Sequence, residues 1–191
     1  MKIIDEHTIQ IDRDLSDLDL FVLEFVKIME KYTPYALVSG YVALLFGRSR
    51  NTEDVDMFIT RITKPQFHDF YADLKNNGFK SVLVESEEEL FSMLTDNLSV
   101  RFGKGESPIP NMEVKFVRDY LDILSLQSKM KVITKQGNLY ISSPELQVAY
   151  KKLVLMSPKD MEDARHLQRL FEIPEENINK YQELFRRYGR L

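Results

Sequence analysis

The sequence predicts an α+β fold, with a mixed sheet inside residues 35–141 and an all-helical part from Ser143-Pro144 onward. Two patterns carry this reading. Short apolar or alternating runs, each bounded by turn residues, are separated by stretches of helical periodicity. Beyond residue 143 the strand-like alternation does not return. Composition supports a packed core: 43% of residues are hydrophobic and 29% charged, and 12 Phe and 9 Tyr supply bulk. The expected organisation is an α/β core over 1–142, including an N-terminal helix, and a helical appendage over 143–191 packed on it.

Leu18, Phe21, Val22, Phe25 and Met29 recur at helical spacing and predict a helix from about Leu15 to Tyr32. Tyr35 to Val38 reads as a short buried strand. It ends at Ser39-Gly40, and Tyr41 to Gly47 reads as a short buried helix closed by glycine. Asp54 to Thr60 alternates as a strand. Lys64-Pro65 opens a helix to about Asn77, with proline in its favoured first turn. Phe79 to Val84 is a strand, and Ser86-Glu87-Glu88-Glu89 is a capping signature for a helix through Thr95. Strands follow at 98–102 and 112–117, then a helix near 120–128 and two weak strands at 131–134 and 139–141. In the C-terminal part, Leu146, Ala149, Tyr150, Leu153 and Met156 form the expected buried stripe, with helix restarts at Pro158 and Pro174.

The absence of cysteine removes thiol nucleophiles and iron–sulfur sites and fits a reducing cytoplasm. The first residues lack a signal-peptide pattern, and the longest uncharged apolar stretch, Tyr35 to Phe46, is too short to span a bilayer, so no membrane partner is expected. No phosphate-binding Gly-x-x-x-x-Gly-Lys-[Ser/Thr] loop and no Gly-x-Ser-x-Gly elbow occurs. His7, His68 and His166 have no ligand spacing. The net charge of −4 is uneven: residues 53–96 carry 4 basic and 10 acidic side chains, and residues 97–144 carry 7 and 4. A broad basic surface for duplex nucleic acid is thus excluded.

The chemistry concentrates in Val38-Ser39-Gly40 and in Arg50-Asn51-Thr52-Glu53-Asp54-Val55-Asp56-Met57. Residues i and i+2 of a strand share a face, so Asp54 and Asp56 project side by side. Two such carboxylates repel unless a cation lies between them, and a divalent metal held by oxygen ligands suits phosphoryl transfer. Ser39-Gly40 sits where a strand turns into a helix, a place that favours a phosphate. Asp17-Leu18-Asp19 has the same spacing but follows Ser16 at a helix start, where acids complement the dipole. Arg50 and Thr52 either contact phosphate, support the metal ligands from behind, or close the loop before the strand.

These residues resemble the nucleotidyltransferase superfamily of the polymerase-beta type, in particular the minimal nucleotidyltransferases and short relatives of AbiEii-type toxins. The resemblance rests on Val-Ser-Gly, a thirteen-residue gap and Asp-Val-Asp-Met. It is joined by Lys152-Leu153 and Lys159-Asp160-Met161-Glu162-Asp163 in the helical part. Ser39 stands where the family usually has glycine. The resemblance implies a third carboxylate on a later strand, and Glu113 is the acidic residue so placed. It implies Mg²⁺, two ions on Asp54, Asp56 and Glu113, and NTP as substrate, held by Ser39, Gly40, Arg50, Thr52 and Lys152. The acceptor would be an RNA 3′ end or a protein hydroxyl, and an antitoxin-like partner is a further implication. The alternative is a non-catalytic nucleotide-binding or interaction module on the same fold. Of the neighbouring lysines, the Lys-Leu pattern favours Lys152 as the phosphate contact and leaves Lys151 facing solvent. Asp160 and Asp163 read first as capping residues after Ser157.

Overall fold

The computed structural model describes residues 1–49 and 52–191. Among these described residues, nine strands form one mixed sheet in the order β1-β2-β8-β9-β3-β4-β7-β6-β5. They are β1 (Lys2–Asp5), β2 (Thr8–Gln10), β3 (Tyr35–Leu37), β4 (Asp54–Ile59), β5 (Phe79–Ser81), β6 (Val100–Lys104), β7 (Asn111–Phe116), β8 (Met130–Ile133) and β9 (Asn138–Ile141). The helices are α1 (Asp17–Met29), α2 (Gly40–Leu45), α3 (Lys64–Asn76), α4 (Glu87–Thr95), α5 (Tyr120–Gln127), α6 (Pro144–Tyr150), α7 (Pro158–Leu170) and α8 (Glu175–Arg187). A π-helical turn, Lys151–Leu155, continues α6. Among the described residues, no helix is long and apolar enough to cross a membrane.

Antiparallel β3/β4 and parallel β4/β7 pairs put β4 at the centre of the sheet. One sheet face is packed by an aromatic cluster: Phe25 of α1 and Phe70 of α3 both meet Phe102 of β6, and Phe91 of α4 meets Phe116 of β7. Met112 and Val114 alternate with Asn111, Glu113 and Lys115 and share the face of Phe116. Through the register Met57↔Val114, the fully buried Val55, Met57 and Ile59 lie on that same face. Asp54, Asp56 and Phe58 therefore point to the other face, beneath α5 and the C-terminal helices.

The N-terminal hairpin β1/β2, which extends the sheet by pairing in parallel with β8, is an addition to the sequence reading. All four β1 residues are exposed, so the strand carries no alternation to announce it. The helical tail also departs from its expected stripe. Met156 is 64% exposed and Lys151 is 1% exposed. Lys151 still bonds back to Gln147, one α-helical turn earlier, and faces the cavity beside it, where Asp160 and Asp163 pair with its ammonium. The π-helical turn that follows, closed by the Met156 amide on the Lys151 carbonyl, ends at a left-handed, exposed Met156.

Asp17 and Asp19 part company in the structure. Asp17 is exposed, whereas Asp19 is fully buried within a capping box with Ser16. Its carboxylate accepts from Arg13, from the Ser16 amide and hydroxyl, and from the Tyr41 hydroxyl. Burial alone would raise its pKa, but these donors outweigh burial and hold it below the ordinary carboxylate value. A carboxylate with a depressed folded-state pKa contributes stability that is present above its unfolded value and lost as pH falls through the folded value. Asp19→Ala is therefore expected to cost on the order of 3 kcal/mol at neutral pH. The variant should also lose part of the parent's destabilisation below about pH 4, which urea titrations at stepped pH will read.

Candidate functional site

Asp56 and Glu113 are register partners on the parallel strands β4 and β7, and Asp54 pairs with Asn111 one step earlier on the same face. Two cations hold these acids. Lys115, two residues beyond Glu113, places Nζ 3.2 Å from Asp56 Oδ1 and 2.5 Å from Glu113 Oε1. Arg101, opposite Glu113 on β6, donates Nε and Nη2 to Glu113 Oε2 at 2.8 and 2.6 Å. Asp54 Oδ1 accepts from Asn111 Nδ2 at 2.7 Å.

The electrostatics differ between the two facing acids. Asp56 is pushed above the ordinary carboxylate value, first by burial; Lys115 opposes this, Glu113 adds to it, and a hydrogen bond from the Ser39 side chain pulls the other way. Burial pushes Glu113 up as well, but Lys115 and Arg101 together hold it below its ordinary value. Lys115 is raised: burial disfavours its charge, and Glu113 and Asp56 more than restore it.

Asp56 opens onto a cavity of about 290 Å³. Its floor is Val38, Ser39, Asp56 and Phe58, and its walls come from α5, α6 and the π-helical turn. Leu121, Leu146, Tyr150 and Leu155 make the apolar side, while Lys115, Arg118, Lys151 and Arg190 bring positive groups. Arg118 is fixed by Asp122, and Arg190 by Asp119 at 2.6 Å.

The structure brings the expected site residues only partly together. Asp54, Asp56 and Glu113 share a face but not one point: among the described residues, no three acidic or histidine side chains converge as a metal cluster. Asn111 draws Asp54 aside, and Arg101 and Lys115 hold Glu113. Ser39 lines the cavity, yet its backbone N–H is taken by Gln147 Oε1 at 3.0 Å. The helix it precedes is six residues long, and the Ser39 side chain acts on Asp56, lowering its pKa. Gly40 is buried at the start of α2. Thr52 donates to the Asp54 carbonyl and faces Leu18 and Ile109 rather than the Asp56 cavity, so it closes the loop. Arg50 lies outside the described residues. Lys152 is corrected: its Nζ sits 2.7 Å from Glu175 and also donates to Gln168. Lys151, expected in solvent, is the lysine at the cavity, held by Asp160 and Asp163 at 3.0 Å each. Asp160 does cap α7 with Ser157, as expected, and pairs with Lys151 as well.

Sequence reasoning missed Lys115, Arg118 and Arg190. For Lys115 a signal existed. Glu113-x-Lys115 alternates with Met112, Val114 and Phe116, so both charged residues had to share the outer face of the strand. Arg118 and Arg190 come from a loop and from beyond α8, and no local pattern aims them.

Ser39 adopts φ 64° and ψ −135°, a conformation close to the region that glycine enters freely. Such strain costs on the order of 1–3 kcal/mol. Ser39→Gly is expected to hold or raise stability, whereas a β-branched Ser39→Val should lower it by roughly 2 kcal/mol or more. Paired denaturant titrations will show whether the two variants move in opposite directions.

No family model matches the sequence, and no curated protein matches it significantly. Solved structures do match in fold. The antibiotic-resistance factor ANT(2'')-Ia, in complex with adenylyl-2''-tobramycin, covers 91% of this chain and 99% of its own, with a TM-score of 0.59 at 14% identity. The lincosamide antibiotic adenylyltransferase LnuA, lincomycin-bound, covers 82% of this chain and 98% of its own, with a TM-score of 0.50 at 14% identity. An antigenic nucleotidyltransferase-like protein from Paracoccidioides brasiliensis covers 91% of this chain and 90% of its own, with a TM-score of 0.50 at 16% identity. A central strand bearing Asp54 and Asp56 beside one bearing Glu113, under helices that wall a cavity, is thus set in the fold of the nucleotidyltransferases.

Proposed function

We propose that this chain is a nucleotidyltransferase that moves a nucleoside monophosphate from an NTP to an acceptor hydroxyl and releases pyrophosphate. The observation that carries the reading is the in-register pair Asp56 and Glu113, with Asp54 on the same face and Asp56 lining the cavity. The donor set is all hard oxygen, which suits Mg²⁺, and Lys115 already stands as a positive charge between two of the acids. Asp54, Asp56 and Glu113 are the residues that would hold two such ions. When bound, the metal neutralises charge on the triphosphate and polarises the attacking hydroxyl.

The protein's own groups do the rest. Glu113 is kept ionised by two cations and can orient the acceptor hydroxyl. Ser39 steadies Asp56. Arg118 and Arg190 line the cavity as fixed positive charges for phosphate oxygens, and guanidinium suits that task because its donors form a rigid fork. Phe58, Leu121, Tyr150 and Leu155 exclude water from the same space.

The acceptor hydroxyl belongs to a small molecule in this reading. The cavity is of small-ligand size. The test incubates the full chain and Mg²⁺ with each labelled NTP and three acceptor pools: hydroxylated small molecules, RNA and protein. Pyrophosphate release with a nucleotide-sized mass gain in the first pool is expected. A gain in RNA or protein would move the acceptor and keep the reaction. The second reading, a non-catalytic nucleotide-binding module, is favoured by the neutralisation of Asp56 and Glu113 by Lys115; it predicts nucleotide binding with no pyrophosphate released.

A further inference from the structure

Two like charges on adjacent strands are stable in this structure because a lysine lies between them. Lys115 is also the cation with a second place to go. Its side chain is one-third exposed, it lines the cavity, and its flexible four-carbon stem carries a compact ammonium. Glu113 does not depend on Lys115 alone, since Arg101 occupies its other carboxylate oxygen. For Asp56 the ion pair among the described residues is the one with Lys115. Removing the ammonium therefore leaves Glu113 paired and leaves Asp56 in need of a cation.

Resting on the nucleotidyltransferase reading above, we propose that Lys115 is an exchangeable counter-ion. A divalent ion bound at Asp54 and Asp56 displaces its ammonium into the cavity, where it binds the phosphate groups of the nucleotide. A divalent cation outcompetes a monovalent one at paired carboxylates, and the freed ammonium then faces the nearest anion. Metal and nucleotide binding become coupled: each tightens the other, by the same factor. A metal ion alone must work against Lys115 and so binds weakly.

The test measures Mn²⁺ binding by electron paramagnetic resonance and binding of a non-hydrolysable NTP by calorimetry, on the full chain. In the parent, each ligand should tighten the other by about tenfold or more. Lys115→Met should bind Mn²⁺ alone roughly tenfold more tightly, bind the nucleotide with Mg²⁺ some ten- to a hundredfold more weakly, and lose the coupling. Lys115→Arg, which keeps the charge, should retain most of the nucleotide affinity. A measurement without any variant runs in parallel, the rate of Lys115 acetylation by acetic anhydride read by mass spectrometry. It should rise when Mg²⁺ is added and fall again when the nucleotide follows. A parent that binds both ligands, with acetylation unmoved by Mg²⁺ or with Lys115→Met binding nucleotide as the parent does, overturns the role of Lys115 alone. A parent that binds neither ligand overturns the nucleotidyltransferase reading and this proposal with it.

Discussion

Asp56→Asn is expected to lower Mg²⁺-dependent nucleotidyl transfer by about three orders of magnitude or more, roughly 4 kcal/mol of barrier. The substitution removes the carboxylate's negative charge from the cavity lining while keeping the side chain's shape. It should not harm the fold. Burial holds the Asp56 carboxyl above its ordinary pKa, so its ionised form is disfavoured in the folded chain. A carboxylate with a raised folded-state pKa costs stability at pH values above that pKa, and the cost is relieved as pH falls through it. In metal-free buffer at neutral pH, Asp56→Asn should thus melt at or above the parent's temperature. Asp17→Asn is the control: exposed in the first turn of α1, it should cost less than about 1 kcal/mol and leave transfer unchanged. A variant pair that loses activity in proportion to stability would show that Asp56 acts through the fold and not the reaction.

The second large effect separates the neighbouring lysines. Lys151→Ala should destabilise the chain by about 3–5 kcal/mol, because it removes the buried ammonium that two buried carboxylates share. Lys151 is 1% exposed and pairs with Asp160 and with the fully buried Asp163, which also meets Arg48 Nε at 2.6 Å. That network ties the end of α2 to α7 and to the cavity wall. Lys152→Ala removes a contact to the exposed Glu175 and should cost under about 1 kcal/mol, with nucleotide affinity unchanged. Thermal melts and binding titrations on both variants decide the order. Equal melting temperatures would mean that the network contributes little.

Much of the sheet was legible because strand periodicity is local. Asp54 and Asp56 had to share a face once Val55, Met57 and Ile59 were recognised as the buried set. Two helix starts were legible for a similar reason: Lys64-Pro65 puts proline in the first turn, and Ser86 with Glu89 satisfies its helix start within a few residues. The β1/β2 hairpin was not, since an edge strand exposed on every residue has no buried face to betray it.

By itself, the sequence determined the α+β class, the placing of β4 and β7 as strands, and which residues of each had to be charged on one side. Those features follow from backbone geometry acting over a few residues. Tertiary structure alone decided that β4 and β7 are neighbours in parallel register, which sets Glu113 beside Asp56, and that Lys115 and Arg101 complete the pair. It decided that Asp19 is a buried structural anchor rather than a simple capping acid. It also decided which lysine faces the cavity. Lys151 shares the helix face of Gln147, one turn earlier, and the packing of α7 closed Asp160 and Asp163 around it. Charges find partners through space, and the distances that rank those partners exist only once the chain has folded.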